Sequence, residues 1–368
     1  MSKLRRLLIT GICIVTLIVA CDRPPNSLKS DLATSTNSES CRLVSHEMGE
    51  TEVCGQPQKV AALSPHILDI ILALGVQPAG FAQSVNSKLQ TYDNPASQIP
   101  YLGKWVTTKP MALGSVRSPS LERLTQLQPD LILGEDVAHE DEYPLLTQIA
   151  PTLLFSDAQN PDEIQSWQQN IEGIARALGR EERVQDLLTA HDRQIAQART
   201  ALQPVLQAYP RVLVIASNLR ATDLESQPES TVGRLLREIG FKIVRPPGFA
   251  DSRATISWEI VPKIETDLII VMTWSDDLAL NPEDTMPEAA MQEKWAQNPL
   301  LNSMPVFHQG RVFFVDYYLW SGVTRGPVTD QLILEALPDL LLDSVKKAGG
   351  AEEAEEAALC PLCFKKNA

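Results

Sequence analysis

Histidine, aromatic side chains and positive charge are all scarce in this sequence. Its five histidines, at positions 46, 66, 139, 191 and 308 of 368, fall in five unrelated segments. There is no H-x-x-x-H pair, no G-x-S-x-G and no glycine-rich phosphate loop. The chain therefore lacks the signatures of a zinc protease, a nucleophile-elbow hydrolase and a P-loop enzyme. Lys and Arg number 32 against 46 Asp and Glu, a formal net charge of −14. Nothing overall invites nucleic acid or an anionic membrane surface, so an anionic ligand would have to meet a local cluster of arginines. Catalytic residues, a resident metal and a cofactor are accordingly not expected.

The longest apolar run is short. "MSKLRRLL" supplies a basic start in Lys3, Arg5 and Arg6, and the 14 residues Leu7 to Ala20 follow. That length is too small to cross a bilayer comfortably and suits a signal peptide over 1–20. The run closes "IVAC", which resembles the lipobox of bacterial lipoproteins and makes Cys21 the acylated residue. A signal-anchor helix is the alternative. Residues 21–40 are rich in Pro, Ser, Thr and Asn, with little to bury, and are expected to be a disordered tether. Removing 1–20 deletes three positive charges, and −14 − 3 gives −17 for the mature chain.

Cys41 and Cys54 flank "RLVSHEMGETEV", an alternating stretch with Met-Gly at its middle. A hairpin there brings the thiols together, and an oxidising compartment favours a disulfide; two separate thiols remain the alternative. Cys360 and Cys363 form a single "CPLC" in the acidic tail 346–368, which is expected to be disordered. One C-x-x-C without a second pair is a weak zinc signal.

What the chain has in plenty is internal echo. "PSLERLTQLQPDLIL" (119–133) returns 137 positions later as "ISWEIVPKIETDLII", with Ser120, Glu122 and Asp130 matched by Ser257, Glu259 and Asp267. Before each copy lies strand, helix, strand: "KVAALS" (59–64), "PHILDIILALG" (65–75) and "VQPAGFA", then "RVLVIAS", "STVGRLLREIG" (230–240) and "FKIVR". The pattern predicts two similar α/β lobes with mostly parallel central sheets, over 41–160 and 205–345. Between them, 161–204 repeats apolar residues at helical spacing, with a break at Gly179-Arg180. The prediction is a helix to about Leu178, then one long backbone helix to Leu202 that limits lobe motion.

With "RSPSLERLTQLQPDLILG" and "KWAQNPLLNSMPVFHQGRVFFVDYYLWSGVTRGPVTDQLILEALPDLL", the chain resembles bacterial ABC-transporter substrate-binding lipoproteins of the iron–siderophore and cobalamin class. The likeness covers about 41–343 and implies the periplasmic-binding fold with a single backbone helix. It implies a membrane-anchored, extracytoplasmic protein, expected to be a monomer, that delivers its ligand to an ABC permease. It also implies that Glu122 and Glu259, one per lobe, dock on arginines of that permease. Read locally, each glutamate sits in the first turn of a helix, where a carboxylate is favoured anyway.

In an open two-lobe α/β protein the ligand belongs at the carboxyl ends of the strands. Loops leaving those ends offer His66, Trp105, Arg117, Arg220, Trp274, Tyr318, Trp320 and Arg325. Guanidinium plus aromatic surface suits a large, anionic, partly apolar ligand, and a ferric siderophore of carboxylate type fits best. His66 is also placed to cap the helix at 65. A cobalamin- or haem-binding protein of the same class is the runner-up. A two-lobe chelatase-like enzyme and a structural lipoprotein stand behind it, since fold alone does not fix function.

Overall fold

The computed structural model describes residues 40–84, 89–156, 167–248, 254–275 and 287–342. The signal segment, Cys21, nearly all of the tether and the tail with Cys360 and Cys363 lie outside the described residues.

Strands β1 (Cys41–His46) and β2 (Gly49–Cys54) form the expected hairpin, with Cys41 opposite Cys54 and a disulfide between them. The hairpin rests on the first lobe through Glu47 N–H, which donates to the Leu154 carbonyl at 2.9 Å.

The first lobe runs β3 (Val60–Ala62), α1 (Pro65–Ala73), β4 (Pro78–Gln83), β5 (Met111–Ser115), β6 (Ser118–Pro119), α2 (Leu121–Leu127), β7 (Leu131–Glu135), α3 (Asp136–His139) and β8 (Thr152–Phe155). Helix α1 starts where the sequence stops favouring a strand. Pro65 has no N–H to leave orphaned, and Ser64 Oγ accepts from Ile67 N–H. The sheet order is β6-β5-β4-β3-β7-β8, parallel except for the β5–β6 pair.

Two helices follow: α4 (Trp167–Leu178) and α5 (Val184–Ala201). The break falls where expected, at Gly179, whose φ of 63° ends α4 before a single 3-10 turn over Glu181–Arg183. One end of α5 packs Val184, Leu187 and Leu188 into the first lobe's core; the other packs Ile195 and Ala198 into the second. It is the long connector that the apolar spacing called for.

The second lobe runs β9 (Arg211–Asn218), β10 (Asp223–Ser226), α6 (Thr231–Ile239), β11 (Lys242–Val244), β12 (Ala254–Ser257), β13 (Leu268–Trp274), α7 (Pro287–Gln297) and β14 (Val312–Asp316), then helical residues 327–342. Its sheet is β12-β10-β9-β13-β14, with β11 also paired to β9. The parallel core β11-β9-β13-β14 repeats the first lobe's β4-β3-β7-β8.

The repeated D-L-I now has a physical explanation. Asp130 accepts from Gln58 N–H at 2.8 Å and Lys59 N–H at 2.9 Å. Asp267 accepts from Arg211 N–H at 2.9 Å and from its guanidinium at 2.9 and 3.2 Å. In each lobe the aspartate thus fixes the start of the central strand against its neighbour. The helix expected after Ser257 does not form. Ser257 closes β12, and residues 258–260 make a turn into the short 3-10 segment Val261–Lys263. Pro262 lies inside that stretch and supplies no N–H to a longer helix. Helix-terminal stabilisation therefore applies to Glu122 alone.

The final helix belongs to both lobes. Its Val328 lies in the first core, and Ile333, Leu334, Leu337 and Leu341 lie in the second. Its first turn is held by Asp69 of α1, which is fully buried and accepts from Val328 N–H and Thr329 N–H at 2.8 Å each and from the Thr329 hydroxyl. Gly326 allows this approach, because a Cβ there would lie 2.3 Å from the Asp69 carboxyl carbon. Asp330, one turn on, accepts from Trp167 Nε1 at 2.7 Å and from Arg234 at 2.7 and 2.9 Å.

Gly326→Ala should destabilise the protein by about 2–4 kcal/mol, because the backbone or Asp69 must move; denaturant unfolding measures it. Burial pushes the Asp69 carboxyl up to about 7, against the pull of its three hydrogen bonds. A carboxyl raised above its unfolded value contributes stability that is full at pH 4 and lost as the pH rises to 7. The stability difference between wild type and Asp69→Asn should therefore shrink over that range. A difference that widens would show that the native state keeps Asp69 ionised throughout.

Candidate functional site

Parallel strands place their carboxyl ends along one edge of each sheet, and the two edges face a common cleft. From the first lobe this edge carries Gln83, Arg117 and Glu135; from the second it carries Asn218, Trp274 and Asp316. Two side-chain bridges cross between the lobes here. Arg325 Nη2 donates to Glu135 Oε1 at 2.9 Å, and the Tyr101 hydroxyl donates to Asp316 Oδ1 at 2.6 Å. Tyr101 holds a left-handed φ of 59°, a conformation uncommon for a tyrosine and found where surrounding structure imposes it. Burial raises the Asp316 carboxyl, partly offset by the hydrogen bond from Tyr101. Burial likewise raises Glu288, with Asp316 adding to the effect.

Arg117 is exposed in the turn joining β5 to β6, beside Val116, whose N–H donates to the Gln83 carbonyl at 2.8 Å. Arg220 is exposed just beyond β9, and its N–H donates to Asn218 Oδ1 at 2.9 Å. Lys294 of α7 clamps that turn, donating from Nζ to the carbonyls on either side of Arg220: Leu219 at 3.0 Å and Ala221 at 2.8 Å. Burial lowers the Lys294 ammonium, which lies 5.2 Å over the Trp258 ring. Trp274 is half-buried with its ring 4.4 Å from that of Tyr317, and Tyr317 meets Tyr318 edge-on at 5.8 Å. Arg117, Arg220, Trp274, Tyr317 and Tyr318 make an aromatic and cationic edge drawn from both lobes.

Three of the expected ligand residues lie elsewhere. His66 is 1% exposed and held inside the fold. Its Nδ1–H donates to the Arg325 carbonyl at 2.8 Å, and Nε2 accepts from the Asn170 amide at 3.1 Å. Burial and the nearby Arg325 charge hold its pKa well below the ordinary imidazole value. Capping falls to Ser64 instead. Trp320 packs into the second lobe's core, because the short helix Tyr317–Trp320 turns its last side chain inward. Trp105 lies near the start of β4, at the sheet end opposite the cleft. Its carbonyl accepts from Gln77 Nε2 at 3.1 Å, and its ring packs on the first core. Arg325 faces the cleft but is engaged with Glu135. Sequence reasoning missed Tyr101, Glu135, Asp316 and Lys294. A carboxylate closing the apolar run "LILGE" was a readable signal for Glu135, and the aspartate closing "RVFFVD" was one for Asp316.

Glu122 and Glu259 are both exposed, each just past a strand at the outer edge of its sheet. Ser118 pairs with Ser115, and Ser257 with Asp223, at the cleft ends of β5 and β10, so both glutamates lie on the cleft-side rim. Among the described residues, the grouping with metal-ligand spacing is Cys41, Glu52 and Cys54, and the disulfide removes both of its thiolates.

Residues 60–319 match the family described as periplasmic binding protein. The chain belongs to that family. It is 26% identical over 308 residues to the Fe(3+)-citrate-binding protein YfmC of Bacillus subtilis, covering 83% of this chain and 87% of that one. To the Fe(3+) dicitrate-binding periplasmic protein FecB of Escherichia coli it is 24% identical over 290 residues, 76% of this chain and 83% of that one. Among solved structures, SirA of Staphylococcus aureus complexed with staphyloferrin B superposes with a TM-score of 0.63 at 21% identity, covering 82% and 98% of the two chains. The fold is the two-lobed α/β fold of these binding proteins, and the family consists of substrate-binding proteins.

Lys294→Met should raise amide exchange at Leu219 and Ala221 by tenfold or more, on the scale of the about 1.5 kcal/mol assigned to a hydrogen bond from a charged donor. Unchanged exchange would mean that the turn is held without Lys294.

Proposed function

We propose that this chain is a lipid-anchored extracytoplasmic protein that captures a ferric siderophore of carboxylate type between its lobes and passes it to an ABC importer. The observation that carries the reading is the pair of exposed arginines, Arg117 and Arg220, each just past a cleft-end strand terminus of its own lobe, with Trp274, Tyr317 and Tyr318 at the strand ends on the second lobe's side. Guanidinium pairs with carboxylate and metal-bound oxygens, and ring faces cover the organic shell of a chelate. The named relatives that bind ferric citrate support the same ligand class. Anchoring through Cys21 agrees with the lipobox-like "IVAC", and two or more acyl chains hold a protein at a membrane where one alone is marginal. Glu122 and Glu259 serve as docking charges for the permease: both are exposed, one on each lobe's rim, where charge complementarity sets orientation.

With a mature net charge of −17 (−14 − 3), attraction for an anion is short-range and charge-assisted, and added salt should weaken binding only modestly because it also screens the repulsion. Arg117→Ala and Arg220→Ala should each cost about 1.5–3 kcal/mol in binding ferric citrate, followed by tryptophan fluorescence. Tight cobalamin binding that survives both substitutions would instead place the protein with the cobalamin binders. Glu122→Ala and Glu259→Ala should leave chelate affinity unchanged and reduce uptake in cells; loss of affinity in proportion to uptake would put those glutamates in the cleft. Cys21→Ala should release unacylated protein or leave uncleaved precursor, which membrane fractionation distinguishes from an anchored mature form.

A further inference from the structure

Strands β7 and β13 carry no charged or polar side chain at matched positions until the last residue of β7. Counting from the matched aspartates Asp130 and Asp267, Glu135 stands where the second lobe has Met272. Every other residue of β7 is apolar or glycine and all five are buried. A carboxylate there is costly unless it is paired, and its partner comes from the other lobe: Arg325, 14% exposed, at 2.9 Å from a Glu135 side chain that is 6% exposed. The first lobe holds Arg325 a second time through its backbone, since His66 donates to the Arg325 carbonyl at 2.8 Å. Arg325 Nη1 donates at 3.1 Å to the Gly322 carbonyl, which fixes the guanidinium from its own side. The cationic side chain at the cleft is thus held by Gly322 and Glu135, and its backbone by His66.

We propose that Glu135 is a built-in competitor for Arg325 that latches one lobe to the other and admits only ligands anionic enough to take its place. The ligand part of this inference rests on the ferric-chelate reading; the latch does not. A ligand oxygen that pairs with Arg325 must displace the Glu135 carboxylate or share the guanidinium with it. A neutral or cationic chelate has no anionic group to offer Arg325 in exchange for the Glu135 carboxylate. The pair therefore sets specificity by opposing every ligand and opposing anionic ones least, a repulsive element of the kind that separates similar partners.

Two arms test this on the full mature protein. In the first, no ligand is present, and distance labels on non-natural residues at the exposed positions Leu145 and Leu300 report the separation of the lobes. Glu135→Gln and Arg325→Gln should each broaden the distance distribution, and the double variant should go no further than either alone. Distributions identical to wild type in both single variants would overturn the latch. In the second arm, ferric citrate and the cationic ferrioxamine B are titrated against wild type and Glu135→Gln. The variant should bind ferric citrate at least tenfold more tightly, with ferrioxamine B unchanged or weaker. Equal loss of both chelates would assign Glu135 a merely structural role and overturn the selection. Broadened distances with no binding of either chelate by any variant would support the latch and overturn the ferric-chelate reading instead.

Discussion

A carboxyl group sealed from water joins the two halves of this protein. Asp69 sits at the middle of α1 in the first lobe and closes the first turn of the last helix, whose later turns fill the second core. Helix ends leave unpaired N–H groups that must find acceptors. Here the acceptor is borrowed from the other lobe, over a glycine that lets the chains meet. Asp330 extends the same knot to Trp167 and Arg234. With α5 spanning both cores as well, the lobes are joined twice at the back, so relative motion is confined to the cleft side. Small-amplitude closure is what such a frame permits.

That constraint explains the cleft's chemistry. Bridges such as Glu135–Arg325 and Tyr101–Asp316 form because the frame holds the strand ends carrying Glu135 and Asp316 within a few ångströms of the facing loops. Pre-positioning lowers the ordering cost of binding and leaves discrimination to the groups that already occupy the gap.

Much of the fold was legible from periodicity and capping. The proline, glycine and apolar spacing around α1 and the connector located both, and the D-L-I echo located the central strands. What sequence could not show was which acidic and aromatic residues look inward. His66 and Trp320 lie just past strand ends, as cleft residues do, yet both are buried: His66 in the first turn of α1 and Trp320 in the second core. The second S-x-E stretch looked helical because it copies the first, but Pro262 and the β12 edge shape it as a turn. Long-range partners were equally hidden: Glu135 and Arg325 are 190 residues apart, and nothing local to either names the other.

The hairpin at residue 41 also has a mechanical side. Any pull on the chain entering at residue 40 reaches Cys41 and crosses the disulfide directly to Cys54, so β1 and β2 cannot be peeled apart strand by strand. Arg42 passes the load onward: its guanidinium donates to the Gly55 carbonyl at 2.5 Å and to the carbonyls of Arg176 and Ala177 at the end of α4. Tension applied there is shared between the helical spine, reached through Arg42, and the edge strand β8 of the first lobe, reached through Glu47 and Thr51.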